Sequence, residues 1–276
     1  MSEKPNLFEF FRTIVLSTKS RVRLSERKTK FIWVFPSDST FDEVKGKNFF
    51  GDIKRNAYLC SRKLKDMTVK AALFDLDGVV FDTEPQYTVF WGGQCREFHP
   101  GHPGLEQEIK GQTLVQIYDL WFSGALADKR QLITERLNLY EQQMSYDYID
   151  GFRDFMDHLH RQGIATAVVT SSNKAKMEAV YARHPEFRQL FDAILTSEDF
   201  SASKPDPDCY LRAARRLGVS SRHCVVFEDS FNGLKSGRAA GMYVVGLATT
   251  NPAEAIRPYC DKVIDNYKDY GRIFSK

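Results

Sequence analysis

Two aspartates at the end of a short apolar run have the clearest chemical potential in this sequence. Asp75 and Asp77 follow the run 69–74 and precede Gly78. Residues i and i+2 of a strand point to the same side. Both carboxylates can therefore face one point beyond the strand's carboxyl end, where ligands bind in open α/β sheets. Two close carboxylates repel each other, so the pair suits a hard metal ion or a division of labour between a nucleophile and an acid/base group.

A second polar segment ends a predicted strand at 164–170 and opens a predicted helix at 173–183. Its members are Thr170, Ser171, Ser172 and Asn173. A hydroxyl group together with the free backbone N–H groups of a helix N-terminus forms a binding site for anions. The segment is therefore a candidate phosphate or substrate site, although the same residues would also serve as an ordinary helix cap.

Two further segments complete the set of candidate site residues. Lys204 lies in a loop made rigid by two prolines, where its ammonium group can pair with phosphate oxygens. Glu228 and Asp229 end an apolar strand predicted at 223–228, and acids at such a place are costly unless they meet a cation. Each segment alone is a weak signal, but all four end strands of one predicted sheet.

The elements that must position these residues alternate along the chain. Strands alternating with helices of this length predict a doubly wound parallel sheet, hence an α/β fold. The predicted strands span 69–75, 164–170, 192–196, 223–228, 243–247 and 262–264, and the predicted helices span 151–162, 173–183, 207–217 and 231–240.

The segment between the first two predicted strands is too long for a single crossover connection. Helical apolar patterns at 113–122 and 128–148 predict a small helical domain inserted into the sheet. We therefore expect three regions: an extension over 1–66, a core over 67–84 and 150–276, and a helical cap over 85–149.

Composition and charge exclude several functional classes. Hydrophobic residues make up 42% and charged residues 27% of the 276 residues, which is typical of globular proteins, and no apolar run approaches the roughly 20 residues of a membrane span. The five cysteines are scattered and form no C-x-x-C pair, which favours a reducing compartment, the cytoplasm, and argues against structural zinc. We expect a monomer that binds no membrane.

The first 66 residues have a charge balance of their own. They carry 15 Lys and Arg against 8 Asp and Glu, a net charge of +7. No aromatic interleaving or nucleic-acid motif accompanies these charges, so nucleic-acid binding is not expected. We interpret the segment as a weakly ordered extension, or as chain upstream of a true start at Met67.

Taken together, the motifs resemble those of the haloacid dehalogenase superfamily phosphohydrolases of subfamily I, in the sugar-phosphatase and beta-phosphoglucomutase branch. The resemblance covers residues 67–276. Its first motif is Asp75-x-Asp77-Gly78-Val79-x-x-Asp82-Thr83-Glu84, and the later motifs are Thr170, Lys204 and Glu228-Asp229.

The resemblance implies a Rossmann-like core and a role for each motif residue. Asp75 would be the nucleophile that forms an aspartyl-phosphate, and Asp77 the general acid and then the general base. Thr170 and Lys204 would hold the phosphoryl oxygens. Mg²⁺ would be bound by Asp75, the backbone carbonyl of Asp77, Glu228 and Asp229. Ser171, Ser172 and Asn173 would line the substrate site.

The resemblance leaves the substrate open. The mutases of this branch usually carry a histidine shortly after Asp-Thr-Glu and an arginine after the cap's Lys-Gly, where this chain has Tyr87 and Leu114. We therefore expect a Mg²⁺-dependent phosphatase acting on a small phosphorylated metabolite such as a sugar phosphate. A beta-phosphoglucomutase-type mutase is one alternative. Segments 181–187 and 204–208 also resemble nucleotide and pseudouridine monophosphatases, so a nucleoside-monophosphate phosphatase is another.

Overall fold

The structure is a computed structural model, which describes residues 68–110 and 112–273 together with two short strands nearer the start of the chain. These strands, β1 (Arg21–Leu24) and β2 (Phe31–Val34), pair with each other in antiparallel orientation. The predicted extension over 1–66 otherwise lies outside the described residues. Among the helices of the described part of the chain, none has the length and apolar character needed to cross a membrane.

A six-stranded parallel sheet organises the rest of the described chain. It belongs to a unit that spans Lys63–Lys276, whereas β1 and β2 belong to the unit Met1–Arg62. The strand order across the sheet is β5-β4-β3-β6-β7-β8. The strands are β3 (Ala71–Phe74), β4 (Ala165–Val169), β5 (Ala193–Leu195), β6 (Cys224–Glu228), β7 (Tyr243–Leu247) and β8 (Lys262–Ile264).

Helices fill the connections between the strands. In chain order they are α1 (Glu84–Phe98), α2 (Leu105–Ile109), α3 (Leu114–Trp121), α4 (Arg130–Glu141), α5 (Phe152–Arg161), α6 (Lys174–Arg183), α7 (Asp208–Arg216), α8 (Phe231–Ala239) and α9 (Ala253–Ile256).

The central strand β3 shows why the sheet is covered on both faces. All four of its residues are fully buried. Ala72 and Phe74 pack in one hydrophobic cluster with α5 and α6, whereas Ala71 and Leu73 pack in another with α7 and α8. Alternate residues of a strand point to opposite faces, so each face of the sheet has its own helical layer. The predicted α/β fold with a doubly wound parallel sheet is confirmed.

Helices α1 to α4 form the predicted insertion between β3 and β4. The buried residues of this stretch, among them Phe90, Trp91, Ile117, Phe122 and Ile133, make a hydrophobic cluster separate from the two clusters of the sheet. An element with one apolar stripe must bury it against another, and these four helices do so among themselves.

The helix predicted over 128–148 is wrong at its end. Helix α4 stops at Glu141, and the next residues run back to the sheet, where Tyr148 bridges Phe81. Tyr146 has a positive φ of 28°, a backbone conformation in which an α-helix cannot continue. Its hydroxyl donates to the carbonyl of Glu141. Met144 and Tyr146 are buried in the cluster around Phe74 rather than in the insertion, so the spacing of Met144 four residues after Tyr140 only imitated a helix face.

The order of the strands places the candidate site. The chain leaves β3 for β4 and β5 on one side, then returns to β6 on the other side. In open α/β sheets the crevice at such a reversal, at the carboxyl ends of the strands, binds ligands. Asp75 follows β3, Thr170 follows β4 and Asp229 follows β6, so three of the four motifs directly follow strands at this crevice. Lys204 comes nine residues after the end of β5, in the loop before α7.

Candidate active site

Lys204 joins two of the acids at the crevice. Its Nζ lies 2.5 Å from Asp75 Oδ1 and 2.6 Å from Glu228 Oε1, and it also donates to the carbonyl oxygen of Val169 at 3.0 Å. Burial disfavours the charged ammonium, but the attraction of Asp75 and Glu228 outweighs it and raises the pKa of Lys204. The lysine is therefore a fixed positive charge beside the Asp75 carboxylate.

Glu228 is held rigidly from two sides. Its Oε1 accepts from Lys204 and from the hydroxyl of Tyr210 at 2.8 Å. Its Oε2 accepts from the backbone N–H groups of Asp229 and Ser230 and from the Ser230 hydroxyl, at 3.1 to 3.2 Å. A fully buried carboxylate needs such a complete set of donors.

Gly233, in the first turn of α8, makes room for this carboxylate. A Cβ atom at this position would lie 1.7 Å from Glu228 Oε1, closer than any non-bonded contact allows. Glycine is therefore required here by the approach of the Glu228 side chain.

Asp75, Glu228 and Asp229 form an acidic cluster. Each offers a carboxylate oxygen, and these oxygens all lie within 4.8 Å of one another. Burial raises the pKa of Asp75 to about 7, with repulsion from Glu228 and Asp77 adding to it and Lys204 opposing it. Burial, together with Glu228 and Asp75, also raises the pKa of Asp229 well above its usual range. Lys204 alone does not balance these charges, so the cluster has the charge and the oxygen ligands that fit a hard divalent cation.

The turn after Asp77 brings the main chain against this cluster. Gly78 has a φ of +69°, and a Cβ there would lie 2.2 Å from Asp229 Oδ2. Thr249 donates to the Gly78 carbonyl at 2.6 Å, and Thr250 donates to Asp229. The glycine of the Asp-x-Asp-Gly motif is thus required both by its left-handed conformation and by the close approach of Asp229.

Asp77 accepts three hydrogen bonds from residues that do not contact Asp75. Thr83 Oγ1 donates to Oδ1 at 2.7 Å, while Ser172 Oγ at 3.3 Å and Lys176 Nζ at 2.5 Å donate to Oδ2. Asp75 and Asp77 therefore have separate sets of partners. Such a separation is what a division between a nucleophile and an acid/base group requires.

Lys176 is the site residue that the motif analysis missed. Its side chain is only 3% exposed, and it lies in the first turn of α6. A signal was present: Lys176, Met177 and Val180 share the buried face of α6, and a lysine on an apolar helix face needs a partner. Nothing in the spacing along the chain indicates that this partner is Asp77, 99 residues away.

The residues of the segment after β4 make different contacts. Thr170 is buried, and its hydroxyl oxygen accepts from the backbone N–H of Ser172 at 3.0 Å. The Asn173 side chain accepts from the backbone N–H of Lys176 at 2.9 Å, so it caps α6. Ser171 is exposed. All four residues of the segment, 170–173, line the cleft.

The insertion closes the opposite wall of this cleft, whose cavity volume is about 400 Å³. Glu84, Tyr87, Lys110, Leu114 and Glu141 line that wall. The Tyr87 hydroxyl donates to Glu141 at 2.8 Å. Burial raises the pKa of Glu84 to about 7, with Asp77 adding to it and Lys110 and Lys176 opposing it.

A hydrogen bond also links the insertion to the core across the cleft. Asn232 Nδ2, at the start of α8, donates to Gln116 Oε1 at 3.1 Å. The same Gln116 oxygen accepts from the backbone N–H and the hydroxyl of Thr113, in the capping box of α3. We call this hydrogen bond the Gln116–Asn232 latch.

Known proteins share both the sequence pattern and the fold. A sequence model of haloacid dehalogenase-like hydrolases matches residues 69–241. The fructose-1-phosphate phosphatase YqaB of Escherichia coli is 33% identical over 185 residues, 63% of this chain and 94% of the relative. Hexitol phosphatase A of the same organism is 31% identical over 195 residues, 69% and 88% of the two chains.

A solved structure shows that the fold is shared as well. The family IA, variant 3 hydrolase of Entamoeba histolytica superposes with a TM-score of 0.64 and 25% identity, over 73% of this chain and 95% of that one. The resemblance stated from the motifs and the predicted class of enzyme are confirmed. On the match over residues 69–241, this chain belongs to the haloacid dehalogenase-like hydrolase family.

Proposed function

We propose that this hydrolase is a Mg²⁺-dependent phosphatase that cleaves a small phosphate monoester, such as a sugar phosphate, through an aspartyl-phosphate on Asp75. The observation that carries the proposal is the arrangement of two aspartates with separate partners at one crevice. Asp75 lies beside the Lys204 ammonium and the acidic cluster, whereas Asp77 lies beside hydroxyl and ammonium donors.

The first step is a displacement at phosphorus. A carboxylate oxygen of Asp75 attacks the phosphorus atom, and the bond to the ester oxygen of the leaving group breaks. Asp77, which takes up a proton when the anionic ester binds beside it, gives that proton to the ester oxygen, and the alcohol departs. Lys204 and the Thr170 hydroxyl stabilise the charge on the transferring phosphoryl oxygens, which is the main catalytic need in phosphoryl transfer.

The second step returns the enzyme to its starting state. Asp77, now a carboxylate, takes a proton from a water molecule that attacks the phosphorus of the aspartyl-phosphate. The bond between phosphorus and the Asp75 oxygen breaks, and inorganic phosphate leaves. One residue thus acts as acid and then as base, as the reversal of its proton transfer requires.

Mg²⁺ would be held by Asp75, Asp229 and the backbone carbonyl of Asp77, with Glu228 beside them. When bound, the ion offsets the repulsion between the anionic nucleophile and the anionic ester and orients the phosphoryl group. The raised pKa values of Asp75 and Asp229 support this assignment, because burial and mutual repulsion make the ionised form of both acids costly and a divalent cation would offset that cost.

Hydrolysis is favoured over phosphosugar mutation by the cap side of the cleft. Tyr87 stands where the mutases usually carry histidine, and its hydroxyl is engaged with Glu141. Burial raises the pKa of Tyr87 well above its usual range, so the phenol stays neutral near neutral pH. At Leu114 the wall has an apolar side chain where the mutases usually place an arginine that would grip a second phosphate.

We propose the domain boundaries given by the sequence, with residues 85–149 acting as a cap that excludes water from the crevice. The protein would act as a monomer in the cytoplasm. The four cysteines within the described residues, Cys95, Cys209, Cys224 and Cys260, are all free thiols, which supports a reducing compartment.

The test is a screen of phosphate monoesters, including hexose phosphates, hexitol phosphates and nucleoside monophosphates, with Mg²⁺ and with excess chelator. We expect release of inorganic phosphate that depends on Mg²⁺, and a phosphorylated peptide containing Asp75 after rapid acid quenching. Phosphate release in excess chelator would contradict the metal assignment. Phosphorylation at another residue would contradict the role of Asp75.

A further inference from the structure

Lys176 forms a second buried ion pair in the cleft, distinct from that of Lys204. Its ammonium group lies 2.5 Å from Asp77 Oδ2, and the side chains of Lys176 and Asp77 are 3% and 20% exposed. Lys204 fills its coordination with three oxygen acceptors. For Lys176 the described residues provide one such acceptor, Asp77, and the Tyr87 ring, whose centroid lies 4.8 Å away.

An ammonium group has three protons to donate. Lys176 lines the cleft, so a substrate in the cleft can reach the donor capacity that Asp77 does not use. A buried charge with incomplete hydrogen bonding is costly to the free protein. Proteins commonly keep such an unfavourable buried charge where it binds a ligand. We therefore expect Lys176 to contact the substrate as well as Asp77.

The surroundings of Lys176 show which oxygen it can reach. In the proposed reaction the ester oxygen of the leaving group must lie within hydrogen-bond reach of Asp77, about 2.6 to 3.2 Å. Lys176 Nζ lies at the same carboxylate, on the side toward the cap residues Tyr87 and Glu141. The substituent on the carbon next to the ester-bearing carbon therefore comes within reach of the ammonium group.

The cap side of this pocket favours hydroxyl groups over anions. Glu84 and Glu141 line the cleft near Lys176, and both carboxylates feel its positive charge. A hydroxyl can accept a hydrogen bond from Lys176 and donate one to a carboxylate. A second phosphate or a carboxylate on the leaving group would instead meet Glu84 and Glu141. Among the described residues that line the cleft here, the counter-charges are Lys110 of the insertion and Lys176 of α6.

We propose that Lys176 is a specificity-determining residue that binds the hydroxyl on the carbon adjacent to the phosphate-bearing carbon, so that the enzyme selects phosphate esters of neutral polyols. This inference rests on the proposed phosphatase function. It assigns to Lys176 a contact with substrate in addition to its ion pair with Asp77.

The test compares two esters that differ by that hydroxyl: glycerol 3-phosphate, which has it, and propane-1,3-diol monophosphate, which lacks it. The measured quantity is the ratio of their kcat/KM values in the wild type and in Lys176→Met. We expect the wild type to favour the glycerol ester by about tenfold to a hundredfold, the effect of one hydrogen bond to a charged group, and the variant to show a ratio near one.

The ratio is insensitive to loss of folded protein, because both esters are measured on one preparation and the active fraction cancels. Loss of the ion pair with Asp77 would slow the hydrolysis of both esters equally, so it also leaves the ratio unchanged. If Lys176→Met does not accumulate as a folded protein, the ratio in Lys176→Ala decides the matter, because alanine also lacks a side-chain donor. Lys174→Met is the matched control, because Lys174 is exposed at the start of the same helix, and we expect it to keep the wild-type ratio.

The outcomes separate the two proposals. If the wild type releases phosphate from none of the esters screened, the proposed function fails. If the wild type is active but does not favour the glycerol ester, or if the ratio survives the loss of the Lys176 ammonium, the role of Lys176 is refuted and the phosphatase proposal stands.

Discussion

The contact between Gly233 and Glu228 makes Gly233→Ala a test of how the site is built. In an exposed helix interior this change stabilises by about 0.5–1 kcal/mol, because alanine restricts the unfolded chain. Here the added Cβ would lie 1.7 Å from Glu228 Oε1 and 1.8 Å from its Cδ. We therefore expect the opposite sign.

The magnitude follows from where the carboxylate can go. Glu228 is fully buried, and moving it away from residue 233 breaks its ion pair with Lys204. Breaking a buried ion pair costs about 3–5 kcal/mol, so the net loss is about 2–4 kcal/mol after the gain in helix propensity is subtracted. For a domain of this size, that loss lowers Tm by about 4 to 16 °C. We also expect kcat to fall, because Lys204 and the acidic cluster lose their alignment.

Thermal unfolding and steady-state phosphate release measure the two effects. Gly93→Ala is the matched control, since Gly93 lies inside helix α1 and a Cβ there would meet no atom within 4 Å. We expect that control to raise Tm slightly and to leave kcat unchanged. A Gly233→Ala protein with an unchanged or raised Tm and full activity would refute the reasoning.

Three further predictions address the chemistry. Asp75→Asn should lower kcat by at least about a thousandfold while near-UV circular dichroism stays unchanged, because an amide has the shape of the carboxylate but is no nucleophile. In metal-free protein the pKa of Asp75 is raised from 3.8 to about 7, so the folded state holds its proton more tightly than the unfolded state. Stability should therefore fall as the pH rises from about 4 to 7. Added Mg²⁺ should therefore raise Tm more at pH 8 than at pH 5 in a fluorescence melt, and equal increases would contradict the metal assignment. Finally, NMR of a reaction with beta-glucose 1-phosphate and a trace of bisphosphate primer should show, if this ester is accepted, glucose and inorganic phosphate, whereas stoichiometric glucose 6-phosphate would favour the mutase alternative.

The sheet was predictable because its strands carry a strong local signal. The residues of β3, β6 and β7 are continuously buried, and turn residues bound the apolar runs, so periodicity and length both indicate strands. Helix α1 was harder to place, because Gly92 and Gly93 lower its helix propensity. Its stability comes from packing against the other insertion helices, which a local pattern does not contain.

The parts of the site that lie in short sequence motifs were predictable. Asp75 and Asp77 lie two residues apart, and Glu228 and Asp229 are neighbours, so their chemistry can be read directly. The pair of Lys176 with Asp77 spans 99 residues of sequence, and the donation from Tyr87 to Glu141 spans 54. Contacts of this kind depend on how the cap and the core meet, which spacing along the chain does not specify.

The Gln116–Asn232 latch has a consequence for the opening of the proposed cap. The oxygen of Gln116 has two lone pairs but receives three donors, two from Thr113 and one from Asn232. When Asn232 withdraws, the capping box of α3 keeps its own hydrogen bonds, and the freed groups meet water. Release of the latch thus costs at most about 0.5–1.5 kcal/mol and disturbs no helix, so substrate entry and product departure meet little resistance at this contact.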